Sequence, residues 1–187
     1  DIERLETPEL PLLLASKIIS KKAKTILIYL QFDGQPVDNS KWDQENPYKA
    51  ELKIYENGEY KSIDWNALEN ITTKNINDSD IRVFARSASD GKGPVLMLLN
   101  ALEIMKTNNL ELKYNLKVIM DFEEELGSPN ITNAVNKYSE KLSSDALLIY
   151  DGPEHPSNLP TLEFGARGIS QITLTSYGPI VPQHSGH

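Results

Sequence analysis

The sequence lacks cysteine altogether, is short of basic residues, and contains no long apolar run. Without thiols it can form neither a disulfide nor a thiolate zinc site, so any metal must be bound by Asp, Glu or His.

The balance of 19 Lys and Arg against 27 Asp and Glu leaves a net charge of -8. This charge argues against nucleic acid or an anionic membrane as a partner, because both need clustered basic residues. No segment approaches the roughly 20 apolar residues of a membrane-spanning helix. Both a cytoplasmic and a periplasmic or secreted location stay open.

Three apolar runs have the length and composition of buried parallel strands. They are Thr25–Leu30, Leu116–Asp121 and Ala146–Tyr150. Between them lie two amphipathic segments that predict helices, residues 93–109 and residues 128–144. The first places five apolar side chains on one stripe (Val95, Leu98, Leu99, Leu102 and Met105), and the second starts with Ser128 as its predicted cap. This alternation predicts an α/β fold with a mostly parallel sheet flanked by helices.

Two other segments depart from that alternation. Residues 43–80 are rich in Asn, Asp, Lys and Glu, and we interpret them as an excursion with one hairpin at Asn57-Gly58. Residues 169–177, "ISQITLTSY", alternate apolar and polar side chains. That period predicts a strand in a sheet exposed on one side, and therefore the start of a second domain.

Carboxylates follow each of the three buried strands. Asp33 comes after the first, the run Glu123–Glu125 after the second, and Asp151 after the third, while Asp90 precedes the first helix. Each alone is compatible with a solvated turn, a cap or an acid in the first turn of a helix. The carboxyl ends of parallel strands share one edge of the sheet, where ligands bind. Because clustered carboxylates repel one another unless a cation neutralises them, their coincidence predicts a metal site.

The order of five motifs resembles a known family. They read "IYLQFDGQPVD…W", "ASDGKGP", "EEELGSP", "YDGP…FGARG" and "HSGH", and they cover the chain from about Thr25 to its end. This order is similar to the zinc-dependent amide hydrolases that include carnosinase, glutamate carboxypeptidase, acetylornithine deacetylase and succinyl-diaminopimelate desuccinylase. The nearest resemblance is to the carnosinase-like dipeptidase branch.

The resemblance implies a role for each acid. Asp90 would bridge two zinc ions, Glu125 would bind one and Asp151 the other, while Glu124 would be the general base. His184 matches a histidine of the lid domain, which in relatives reaches the neighbouring subunit's site and steadies the developing oxyanion. The resemblance also implies the N-terminal part of a zinc-exopeptidase catalytic domain over residues 1–167. Residues 168–187 would begin an α+β lid and dimerisation domain, so a homodimer is expected in the full-length protein.

The sequence departs from the family pattern in two places. The family has His-x-Asp at the end of the first strand, with the His as a zinc ligand and the Asp orienting it. Here Asp33 keeps its place but Gln31 replaces the His, so one zinc ion or two is an open question, with manganese or another divalent ion as alternatives. The chain also stops within the expected lid, which predicts a fragment that is inactive by itself.

Two functions remain at this point. The first is a metal-dependent hydrolase that cleaves a dipeptide or an N-acyl amino acid, which the retained acids Asp90, Glu124, Glu125 and Asp151 favour. The second is a non-catalytic or metal-depleted homologue that serves as a binding or assembly subunit, which Gln31 favours. A dinucleotide-binding domain is excluded because no Gly-x-Gly-x-x-Gly follows any strand.

Overall fold

A computed structural model describes residues 1–70, 81–152, 155, 157 and 159–184. The chain divides into two compact units, Asp1–Gly152 and Pro153–His187, and each is considered by itself. The described residues contain eight strands: β1 (Ile2–Leu5), β2 (Leu12–Lys17), β3 (Thr25–Gln31), β4 (Glu51–Glu56), β5 (Glu59–Ile63), β6 (Ile81–Phe84), β7 (Asn115–Asp121) and β8 (Ala146–Ile149). Their α-helices are α1 (Lys92–Thr107), α2 (Ile131–Lys137) and α3 (Ser139–Leu142).

The main sheet has five strands in the order β1-β2-β7-β3-β8. The central strand β3 is parallel to both β7 and β8, while β2 is antiparallel to β7 and β1 to β2. The three predicted strands and the α/β class are therefore confirmed. The two antiparallel strands β1 and β2 were missed, because β1 contains two charged residues and the apolar run of β2 is interrupted by Ser16 and Lys17. The sheet is therefore mixed, and its parallel strands β7, β3 and β8 are the ones followed by the predicted acids.

Helices cover both faces of this sheet. On one face Val95 and Leu98 of α1 pack against Ile28 and Leu30 of β3. Leu99 was predicted to share that stripe, but it is 57% exposed. The contact follows Val95, Leu98 and Leu102, and Leu99 is rotated about 100° away from Leu98 around the helix axis.

On the opposite face, Ala134 of α2 and Leu142 of α3 pack with Leu27 of β3. The predicted start of this helical segment was wrong by two residues. Its cap is Asn130, because Ser128 has a φ of 47°, which is outside the helical range. The hydroxyl of Ser128 instead reaches back to the end of β7.

A second, three-stranded sheet has the order β5-β4-β6. The predicted hairpin is confirmed: Asn57 and Gly58 join β4 to β5, with φ values of 53° and 91°. Two consecutive positive φ angles are those of a type I′ turn, which suits Asn-Gly. Residues 71–80 of the predicted excursion lie outside the described residues.

The predicted strand at residues 169–177 is not formed in this structure. Ile169, Ile172, Leu174 and Tyr177 are between 83% and 92% exposed. A strand is stable only when it pairs with others, and among the described strands none pairs with this segment. The domain division after residue 167 stays a prediction. In the described part of the chain, no helix is long and apolar enough to cross a bilayer.

Candidate active site

The carboxyl ends of β3, β7 and β8 form one edge of the main sheet, here called the acid edge. Gln31 is level with Asp121, and the amide of Phe32 continues the pairing by donating to the Asp121 carbonyl at 3.0 Å. On the other side the Tyr150 amide donates to the Tyr29 carbonyl at 3.1 Å. All three strands therefore deliver the residues that follow them to the same edge, as the sequence predicted.

The three consecutive glutamates lie in a tight turn after β7, here called the acid turn (Glu123–Gly127). A single 3₁₀ turn spans Glu124–Leu126, and Gly127 ends it with a φ of 83°, a conformation that favours glycine. Glu123 points inward: it is 6% exposed, and one of its carboxylate oxygens accepts a hydrogen bond from Asn130 Nδ2 at 2.9 Å. Glu124 and Glu125 are only partly buried. The turn thus uses Glu123 for structure and presents the other two.

Asp121, the last residue of β7, stabilises the acid turn through hydrogen bonds. Its side chain is 3% exposed, and its Oδ2 accepts hydrogen bonds from Tyr29 OH at 3.0 Å and from Ser128 Oγ at 2.7 Å. Its Oδ1 accepts the backbone N–H of Glu123 at 2.9 Å. Burial raises the pKa of Tyr29 above its ordinary value, which keeps the phenol a hydrogen-bond donor. Asp121 was predicted only as the end of a strand, although an acid that closes an apolar run could have indicated this structural role.

Asp33 connects the end of β3 to the acid turn. Its Oδ2 accepts the backbone N–H of Glu125 at 3.0 Å. Its other oxygen, Oδ1, is buried and has no hydrogen-bond partner among the described residues. Asp33 therefore positions Glu125 through the backbone and keeps one acceptor oxygen unused.

Gln31 contacts the acid that precedes α1. The side chain is 4% exposed, and Nε2 donates to Asp90 Oδ1 at 2.7 Å. A cis peptide bond joins Asp90 to Gly91, and Gly91 packs so closely that an added Cβ would lie 2.4 Å from Gln31 Cγ. Gln31 Oε1 is buried and lacks a partner within the described part of the chain. The amide therefore fixes Asp90 with one end and leaves its oxygen unpaired.

Glu124 lies in the field of the other acids. Partial burial raises its pKa above the ordinary glutamate value, and neighbouring carboxylates raise the pKa further; these are Asp151, Glu125, Asp33 and Asp90. The charges of four of the acids predicted for this edge therefore act on one side chain. A carboxylate whose protonated form is favoured in this way is suited to accepting a proton during a reaction.

The donor chemistry of the acid edge suits a divalent cation, since carboxylates and an unpaired amide oxygen are hard ligands. Among the described residues, however, no three Asp, Glu or His side chains lie close enough together to form a metal-ligand set. Glu125 Oε2 instead accepts from Gln35 Nε2 at 2.5 Å, and Asp90 is engaged by Gln31. The ligand roles of Asp90, Glu125 and Asp151 stay predictions. The predicted role of His184 in stabilising an oxyanion also stays a prediction; His184 is an exposed residue of the second unit.

The chain matches a known protein family over most of its length. The model of peptidase family M20/M25/M40 matches residues 27–163, which include every predicted site residue except His184. A Cys-Gly metallodipeptidase, dug1 of Schizosaccharomyces pombe, is 26% identical over 183 residues, covering 97% of this chain and 33% of that protein.

Solved structures agree with this match. An M20 family metallo-carboxypeptidase from Sulfolobus solfataricus superposes with a TM-score of 0.61 at 28% identity, covering 84% of this chain and 30% of that one. Human carnosine dipeptidase 1 gives a TM-score of 0.56 at 26% identity, covering 78% of this chain and 26% of that one. The chain thus spans about a third or less of the length of the proteins it matches.

Proposed function

This chain belongs to peptidase family M20/M25/M40, and from that premise we propose that the protein is a metal-dependent hydrolase of dipeptides or N-acyl amino acids. The similarity to a Cys-Gly metallodipeptidase and to a carnosine dipeptidase supports the dipeptide as substrate class. The observation that carries the proposal is the position of Glu124, whose pKa is raised by burial and by four surrounding carboxylates.

In the proposed reaction, Glu124 is the general base. It takes a proton from the water that attacks the amide carbon and then delivers that proton to the leaving amine. Asp90, Glu125 and Asp151 would hold the metal, which when bound polarises the amide carbonyl and makes water a better nucleophile. Asp33 contributes by holding the Glu125 backbone at 3.0 Å.

The proposal extends to the metal and the assembly. Zinc in at least one subsite and a homodimer formed through a lid domain are both supported by the family resemblance of the motifs. His184 would then act on the neighbouring subunit's site, where an imidazole can stabilise the oxyanion that develops at the amide carbon.

The test separates the two adjacent glutamates in the full-length protein. Glu124→Gln should lower turnover by roughly 10² to 10⁴, as expected for loss of a general base, and should leave the metal content unchanged. Glu125→Gln should lose metal. Glu140→Gln, which replaces an exposed acid of α3, is the matched control and should keep both.

Dipeptide hydrolysis and metal content are measured side by side on the same preparations. Equal losses of metal in both variants would contradict the separate roles of Glu124 and Glu125. A wild-type protein that binds metal but hydrolyses neither dipeptides nor N-acyl amino acids would instead support the binding or assembly subunit that Gln31 favours.

A further inference from the structure

We propose that Gln31 Oε1 is a metal ligand, and that it forms with Asp90 and Asp151 an all-oxygen subsite with little preference for zinc over manganese. This inference rests on the proposed metal centre and concerns the identity of one of its ions. It goes beyond the family pattern, in which a histidine occupies the position of Gln31.

The Gln31 side chain is held in place rather than free to turn away. It is 4% exposed at the last position of β3, and the backbone of Gly91 packs against it. Nε2 donates to Asp90 Oδ1 at 2.7 Å. Reversing the amide would place its oxygen against a carboxylate oxygen, so this contact fixes which end of the amide remains available.

The available end is a buried oxygen that only accepts. Gln31 Oε1 has no hydrogen-bond partner among the described residues, and a buried carbonyl oxygen costs stability unless something binds it. The occupant must be a cation or a hydrogen-bond donor. Asp90 is in direct contact with the Gln31 amide, and the parallel pairing of Tyr29 with Ile149 brings Asp151, two residues further on, to the same edge. The local charge therefore favours a cation.

A second buried atom supports the same conclusion. Asp33, two residues further along the chain, also has one oxygen without a partner in the described residues. The acid edge therefore holds two unused acceptors. Within the described part of the chain, the third buried side-chain atom without a partner is a donor, Arg86 Nε; the Arg86 guanidinium lies 5.4 Å from the Trp42 ring centroid.

The type of donor determines the selectivity. Carboxylate and amide oxygens suit magnesium, manganese and calcium, whereas imidazole nitrogen adds a preference for zinc. Both a glutamine and a neutral histidine are uncharged, so exchanging them changes the donor atom and leaves the charge of the subsite unchanged. In the family pattern the aspartate at the position of Asp33 orients that histidine, and Asp33 Oδ1 is buried without a partner among the described residues, so we expect it to orient an imidazole at position 31.

The test is calorimetric titration of the full-length, metal-free protein with zinc and separately with manganese. In the wild type we expect one tight zinc site and a second site that binds zinc and manganese with dissociation constants within about tenfold of each other, because its ligands are all oxygens. Gln31→His should tighten zinc at the second site by about 10- to 100-fold, with a smaller change for manganese. Gln31→Leu should weaken both ions there.

Controls and contrary results follow from the same titrations. Gln44→His replaces another buried glutamine, 5% exposed and bonded to the carbonyls of Lys49 and Phe84, and should leave both sites unchanged. Two equally tight zinc sites in the wild type would overturn the inference, as would unchanged affinities in Gln31→Leu. Normal metal binding without hydrolysis would refute only the proposed function, whereas absence of any metal binding would refute both.

Discussion

Replacing Asp121 with alanine should destabilise the unit that carries the site, although Asp121 is not predicted to touch metal or substrate. The substitution removes a carboxylate that accepts three hydrogen bonds, from Tyr29, Ser128 and the backbone of Glu123. Because Asp121 is only 3% exposed, water has little access to the site and cannot easily replace these hydrogen bonds. The three donors would therefore lose their acceptor at the point where β7 enters the acid turn.

The magnitude follows from the exposure of each donor. A buried donor left unsatisfied costs about 1–3 kcal/mol. Tyr29 and Ser128 are only partly buried and can recover part of the loss by binding water, whereas the Glu123 amide belongs to a buried residue. We expect Asp121→Ala to lower the free energy of unfolding by about 3–5 kcal/mol. Ser128→Ala, which removes one donor and keeps the acceptor, should lower it by about 1–2 kcal/mol.

Urea denaturation monitored by circular dichroism measures these changes. With a slope of about 2 kcal/mol per molar urea, the midpoint of Asp121→Ala should fall by about 2 M. Asp145→Ala is the control: Asp145 also accepts two hydrogen bonds, from Lys24 Nζ and the Thr25 amide, but it is exposed, so its midpoint should stay closer to the wild type. A loss below about 1 kcal/mol for Asp121→Ala would refute the reasoning.

Three further predictions concern other parts of the first unit. Gly91→Ala should displace the Gln31 side chain from its hydrogen bond with Asp90, because the new Cβ would lie 2.4 Å from Gln31 Cγ and 3.0 Å from the Gln31 carbonyl oxygen. The free energy of unfolding measured in urea should fall by about 1–3 kcal/mol, and an unchanged urea midpoint would contradict this prediction. Asn115→Ala should cost about 2–4 kcal/mol, because this 4% exposed side chain binds both the amide and the carbonyl of Ser20; the thermal midpoint reports it. The hydrogen bond from Lys24 holds the pKa of Asp145 below its ordinary value, so Asp145 stabilises the fold above about pH 4 and loses that contribution as the pH falls through its lowered pKa. The difference in urea midpoint between wild type and Asp145→Asn should therefore become smaller from pH 5 to pH 2. A difference that grows over this range would contradict the predicted direction of the pH dependence.

The sequence was sufficient for the parallel strands and for the edge at which the acids meet. Continuous apolar runs such as Thr25–Leu30 specify a strand buried on both faces by their composition alone, and the position of each acid then follows from strand direction. The Asn57-Gly58 turn was equally clear, because few residue pairs accept two positive φ angles.

Other features depend on tertiary contacts that no local pattern records. The cap of α2 is Asn130 and not the predicted Ser128, because the Ser128 hydroxyl donates a hydrogen bond to Asp121 instead. Glu123, which the sequence cannot distinguish from its two neighbours, is turned inward by Asn130. The alternation at residues 169–177 specifies which side chains would face one way, but a strand also needs a partner. The sequence predicted the strand end at Gln31 and Asp90 at the same edge, but the hydrogen bond from Gln31 Nε2 to Asp90 Oδ1 depends on side-chain orientations that no local pattern records.

The parallel arrangement of β3, β7 and β8 also has a consequence for how the chain folds. Thr25 pairs with Asn115 and Ile26 with Ala146, so neither parallel pairing can form until most of the chain has been brought together. Such non-local pairing is slow compared with local helix or hairpin formation. This pairing helps to bring the acids at positions 33, 90, 124, 125 and 151 to one edge, and their mutual repulsion opposes it. A divalent cation present during refolding should therefore speed the step that aligns these strands, whereas the β4–β5 hairpin should form at the same rate with or without it.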